Sequence, residues 1–196
     1  KVDVLDALIW INDSRWETFS DEIINNQTTR DRNIKLTLNI LLNNKKYDYV
    51  NKSINQLRIT KNPDYYSYEM AMHYSINMLV DNAVNEFLLH LEYNPKKYTM
   101  IKNRILSYPD ITNNQIRSIL LNHNSYLAKL ILADIEFKEK NIAESYRLLK
   151  NYSKDENDLI DFSEDLIQIE EYEFAQSVIK EILVSSTDEL IIKKSI

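Results

Sequence analysis

The chain has no glycine, although average usage near 7% would place roughly 14 among its 196 residues. Positive backbone φ is costly for every other residue type. Primed hairpin turns, phosphate-cradling loops, dinucleotide-binding turns and oxyanion-hole nests all draw on glycine. Helices joined by short turns of Asn, Asp and Lys do not. The feature therefore predicts an all-α chain and argues against most nucleotide-binding enzymes. Proline occurs only at Pro63, Pro95 and Pro109, which suits long helical stretches.

The apolar residues fall at helical spacing. Ile34, Leu38 and Leu41 mark one stripe, and Val50, Ile54 and Leu57 mark the next. The second stripe returns as Val84, Leu88 and Leu91, each 34 residues on. Repetition at such a distance is the mark of a helical solenoid. In order, the pattern predicts hairpins over about 3–25, 30–59, 64–93, 96–123, 125–152 and 156–184, with a terminal helix over 187–196. Asp13 or Ser14, Thr29, Asp64 and Ser125 are expected at helix starts. Asn62-Pro63 and Asn94-Pro95 read as boundaries, and Pro109-Asp110 as a break inside the fourth hairpin. Helices of ten to fourteen residues are marginal alone in water. Each must bury its stripe against a neighbour, as in nearest-neighbour stacking. The prediction is a single α-solenoid domain of about six antiparallel hairpins plus a terminal helix. Lys1 in place of Met, and the helix-like Glu189–Lys194, suggest a piece of a longer protein.

Leu159, Phe162, Ser163, Leu166, Tyr172, Ala175, Ile179 and Ile182 resemble a tetratricopeptide repeat, a 34-residue helix-turn-helix. In that pattern Ser163 and Ala175 are the small residues that let two helices approach. Residues 34–63 resemble it through Tyr47, Val50, Ile54, Leu57 and Pro63, with Leu38 at a small position. Residues 133–152 do so through Ala133, Ile142, Ser145 and Leu149, and 7–23 loosely through Ala7, Trp10, Trp16, Phe19 and Ile23. The family's glycine is missing throughout, and the fourth hairpin barely matches. A general α-solenoid and an irregular helical bundle are the rival readings.

The resemblance implies a concave groove, lined by the first helix of each hairpin, that takes an extended peptide or a partner helix. The groove positions it implies are Lys35 and Asn39, then Tyr66, Glu69, His73 and Ile76, then Ile160, Glu164 and Ile167. One subset of the family clamps a terminal carboxylate. Lys35 and Asn39 match its first two positions, but Glu69 or Met70 replaces the next asparagine, and Lys97 and Ile101 fall near the basic pair. Glu69 would repel a carboxylate.

Catalytic and metal chemistry find little footing. Cysteine is absent, which removes disulfides, thiolate nucleophiles and most structural zinc sites. His73, His90 and His123 stand apart from one another. Asp165 with Glu170-Glu171 reads as a solvated charged turn rather than an acid–base pair. Asp155-x-Asn157-x-Leu159 opens like a calcium loop but lacks its central glycine. The net charge is −6 with the signs interspersed, so no basic stripe is offered to nucleic acid. No run approaches 18 apolar residues, and no signal peptide is visible. The compartment stays open. The expected function is a protein–protein interaction scaffold that binds a protein or peptide in its groove. No enzyme activity, cofactor, metal, nucleic-acid partner or membrane insertion is expected. The alternative is a helical regulatory or accessory domain of a larger enzyme.

Overall fold

A computed structural model describes residues 2–26, 28–155 and 157–185. Among these residues every regular element is a helix and no strand occurs, so the protein is all-α. The expected terminal helix over 187–196 lies outside the described residues. The chain divides into two compact units, residues 1–79 and 80–196. The division falls between the two helices of the expected hairpin 64–93.

The first unit carries α1 (Val2–Trp10), α2 (Arg15–Ile24), α3 (Asp31–Asn43), α4 (Tyr47–Thr60) and α5 (Ser67–Ile76). Helix α1 packs on α2 and α3, α2 on α3, and α3 on α4. Consecutive helices thus share one core, built from Leu5, Ile34, Leu38, Leu41, Val50, Ile54, Leu57 and Met70. The apolar stripes of α3 and α4 supply most of it, and burying them stabilises helices too short to stand alone. Trp10 does not join this core. It is 86% exposed, because α1 turns its Leu5 face inward.

Helix α5 is shorter than the expected Tyr65–Leu79. Its start is displaced by Tyr66, which sits in the left-handed region at φ 63°. That conformation turns the backbone so that the Tyr66 ring is buried and its hydroxyl donates to Asn39 Oδ1 at 2.8 Å. Asp64 is not the cap residue; its carbonyl accepts from the Ser67 N–H at 3.0 Å.

The second unit carries α6 (Val80–Tyr93), α7 (Tyr98–Leu106), α8 (Asn113–Asn122), α9 (Tyr126–Lys138), α10 (Ile142–Tyr152), α11 (Asn157–Gln168) and α12 (Tyr172–Ser185). Short 3-10 turns, Pro95–Lys97 and Asp110–Thr112, lead into α7 and α8. Helix α9 organises the unit, packing on α7, α8 and α10. Leu127, Ala128, Leu130, Ile131, Leu132, Ala133 and Ile135 are all buried, so α9 is enclosed almost all round. Its polar residues must therefore find partners. Lys129 Nζ donates to the Leu120 and Leu121 carbonyls at the end of α8. Burial lowers the Lys129 pKa. Ser125 caps α9 as expected, accepting from the Leu127 N–H at 3.3 Å. Small residues mark the close approaches. Ser145 Oγ donates to the Ala133 carbonyl at 2.8 Å where α10 meets α9, and Ser163 and Ala175 are buried where α11 meets α12.

The turns correct one premise of the sequence reading. Among the described residues five helices end in the left-handed region without a glycine, at Asn12, Lys45, Met78, Lys140 and Glu170. Each closes the same paired motif. At α3, the Lys45 N–H donates to the Leu42 carbonyl and the Lys46 N–H to the Leu41 carbonyl, both at 2.9 Å. The same six-to-one and five-to-two bonds follow α1, α5, α9 and α11. The polar turns do use positive φ, and the helix-terminal hydrogen bonds offset its cost.

Candidate functional site

Four of the groove positions expected in the first unit, Lys35, Asn39, Tyr66 and Glu69, are spent on one another between α3 and the start of α5, whereas Ile76 is 78% exposed. Lys35 Nζ pairs with Glu69 Oε1 at 2.7 Å. Asn39 accepts the Tyr66 hydroxyl. Beside them Asp31 Oδ1 accepts from Tyr65 Oη at 2.7 Å and from Lys61 Nζ at 2.9 Å. The His73 ring lies 5.8 Å from that of Tyr47 and 6.1 Å from that of Tyr74, and burial lowers its pKa. Tyr66 is only 2% exposed and offers no surface to a partner. The lysine matched to the carboxylate clamp is already neutralised by Glu69.

In the second unit the expected face of α11 is corrected by one residue. Ile160 is 4% exposed and sits in a core with Phe162, Leu166, Ala175, Val178 and Ile182. Glu164 and Ile167 are exposed. One position along a helix is a rotation of about 100°. The residues that do face a concavity are Asp158, Asp161 and Asp165, at i, i+3 and i+7.

That concavity is a cleft of about 220 Å³ with walls from α7, α9, α10 and α11. Helices α7, α9 and α11 are the first helices of the expected hairpins four, five and six. Helix α7 contributes Tyr98 and Lys102, and α9 contributes Leu130, Ala133, Asp134 and Phe137. Ser145 and Leu149 of α10 and Phe162 of α11 complete the lining beside the three aspartates. The aromatic wall is fixed by packing. The Phe137 and Phe162 rings meet edge to face at 5.5 Å, and Tyr146 stacks on Phe162 at 6.0 Å.

The charges in the cleft do not balance. Lys102 Nζ is the one cation in the lining, and it lies 3.2 Å from Asp134 Oδ2. Asp158 accepts the Ser153 hydroxyl. The Asp161 and Asp165 carboxylates have no hydrogen-bond or ion-pair partner among the described residues. Burial, then the negative charges of Asp165 and Asp158, raise the Asp134 pKa against the pull of Lys102. Burial, then Asp161 and Glu164, raise that of Asp165 against the pull of Lys102. Burial also pushes the Tyr98 phenol up.

A carboxyl raised in the fold stabilises it fully below its ordinary value of 3.8 and loses that contribution as pH climbs through the folded value. At neutral pH the charged Asp165 therefore opposes folding. Asp165→Asn is expected to be more stable than the parent at pH 7, with the difference closing as pH falls toward 3.8. Urea midpoints across that range check this; a pH-independent difference contradicts it.

Among the described residues no group of three or more His, Asp or Glu side chains is arranged to hold a metal ion. His123 Nε2 lies 3.5 Å from Glu92 Oε1, and His90 faces Asn94, the residue that follows its helix. Asp155, at the calcium-loop resemblance, accepts the Asn157 N–H at 2.9 Å in a local turn. No described helix is long and apolar enough to cross a membrane. Compared with protein-family models, curated proteins and solved structures, the chain matches none.

The cleft escaped the sequence reading because it is assembled from four helices. One signal was present: Asp158, Asp161 and Asp165 share a face of α11 that is distinct from its apolar stripe. Asp134, set among the apolar residues of α9, gave none.

Proposed function

We propose that the chain is a tetratricopeptide-like helical-repeat scaffold that holds a partner polypeptide. The observation that carries the reading is the cleft of the second unit. It is concave, has an aromatic wall, and draws on α7, α9 and α11, the first helices of their hairpins and the kind such a repeat uses for peptides, together with Ser145 and Leu149 of α10. Three further features support it. Consecutive helices pack on one another from α1 to α4 in the first unit and from α8 to α12 in the second. Small residues sit where paired helices approach, at Ala133 with Ser145 and at Ser163 with Ala175. The turns inside the pairs α1–α2, α3–α4, α9–α10 and α11–α12 share one hydrogen-bond motif.

Selection from a random peptide library tests this. Peptides enriched by the full chain should lose binding when Tyr98→Ala opens the cleft wall, with helix content by circular dichroism unchanged. Enrichment no better than for an unrelated helical protein would reject the scaffold reading.

A further inference from the structure

The cleft has a size, a wall and a charge that narrow its occupant. Its volume, about 220 Å³, is below the roughly 300–1,000 Å³ of cofactor and small-molecule sites, and matches a single long side chain. Tyr98, Phe137 and Phe162 give an apolar surface for an aliphatic stem, and aromatic faces attract cations. Four aspartates face one lysine, an excess of three negative charges. Asp161 and Asp165 are exposed at the cleft and, among the described residues, make no hydrogen bond or ion pair, so both are accessible to a cation from outside.

We propose that this cleft takes the arginine or lysine side chain of a basic, extended segment of a partner protein. The stem lies along Phe137 and Phe162, and the cationic head meets Asp161 and Asp165. Lys102 screens Asp134 and limits how many cations enter at once. The proposal rests on the scaffold reading above and adds the chemistry of the partner.

The test is fluorescence anisotropy with a fluorescein-labelled decapeptide of alternating Arg and Leu, titrated with the full chain. The comparison probe carries citrulline, the neutral isostere, in place of arginine. The arginine peptide should bind at least about tenfold tighter, and its affinity should fall as salt rises. Asp161→Asn with Asp165→Asn should weaken it about tenfold, while Lys102→Met should tighten it several-fold. Glu171→Gln with Glu173→Gln makes the same change in net charge outside the cleft and should leave binding unchanged. A merely acidic surface would respond equally to both pairs, and that result overturns the proposal. Equal binding of the citrulline peptide overturns it too, as does displacement by spermine at peptide-like concentration, which would assign the cleft to a free polycation. If library selection yields neutral peptides that need Tyr98, the scaffold reading stands and only the charge assignment falls. If it yields none, both fall.

Discussion

Arg117→Ala is expected to cost the second unit about 2–4 kcal/mol. Arg117 Nε donates to Glu136 Oε1 at 2.6 Å, and its other nitrogens reach Glu139 and Asn114. Glu136 projects from the enclosed helix α9, its side chain 7% exposed against 25% for Arg117. Asn141 also donates to Glu136, at 2.8 Å, and Asn113 to Glu139, at 2.9 Å. Removing the guanidinium strands a buried carboxylate with one amide partner. The loss is a desolvation cost left uncompensated, and the partial exposure of Arg117 places it below the full buried-pair figure of about 3–5 kcal/mol. Replacing both residues by methionine should recover most of the loss, because two apolar side chains need no partners. Urea denaturation of the two single variants and the double variant gives the coupling. Additive losses would mean that the pair is not a unit.

The five left-handed turn residues set up the second large effect, in the opposite direction. A residue with a Cβ in the left-handed region costs about 1–2 kcal/mol, less for Asn. Glycine removes that cost but loses more chain entropy on folding, about 0.5–1 kcal/mol. The net gain is about 0.5–1 kcal/mol at each of Lys45, Met78, Lys140 and Glu170, and smaller at Asn12. These sites are far apart in sequence and share no hydrogen bond, so the gains should nearly add. The combined glycine variant should be about 2–4 kcal/mol more stable across its two units, read from denaturation midpoints. Glycine at Leu88, inside α6 with positive φ not required, should destabilise instead. No gain from the five substitutions would show that these turn residues carry compensating contacts of their own.

The helices were legible because their burial is periodic. Val84, Phe87, Leu88 and Leu91 read as one stripe of α6, and all four are buried. Periodicity locates a face only to within a residue. That margin put Ile160 in the groove, although it packs in the same core as Phe162 and Leu166. It also left the outward turn of Trp10 unseen. The start of α5 was hidden for a different reason. The Tyr66 backbone leaves the helical region so that a buried ring can reach Asn39, a residue on another helix. The binding candidates Lys35, Glu69 and Asn39 came from the resemblance, which does not reveal that they satisfy one another. The cleft was the hardest part to read. Its carboxylates are 24 to 31 residues apart between α9 and α11, and only packing brings them to one concavity.

The most direct measurement is a nuclear magnetic resonance titration of the isotope-labelled chain with the arginine–leucine peptide. The account predicts saturable shifts at Tyr98, Lys102, Asp134, Phe137, Asp161 and Asp165, residues of α7, α9 and α11, with the Lys35–Glu69 region of the first unit unmoved. Shifts scattered over exposed acidic residues, or centred on α3 and α5 with the cleft silent, would contradict it.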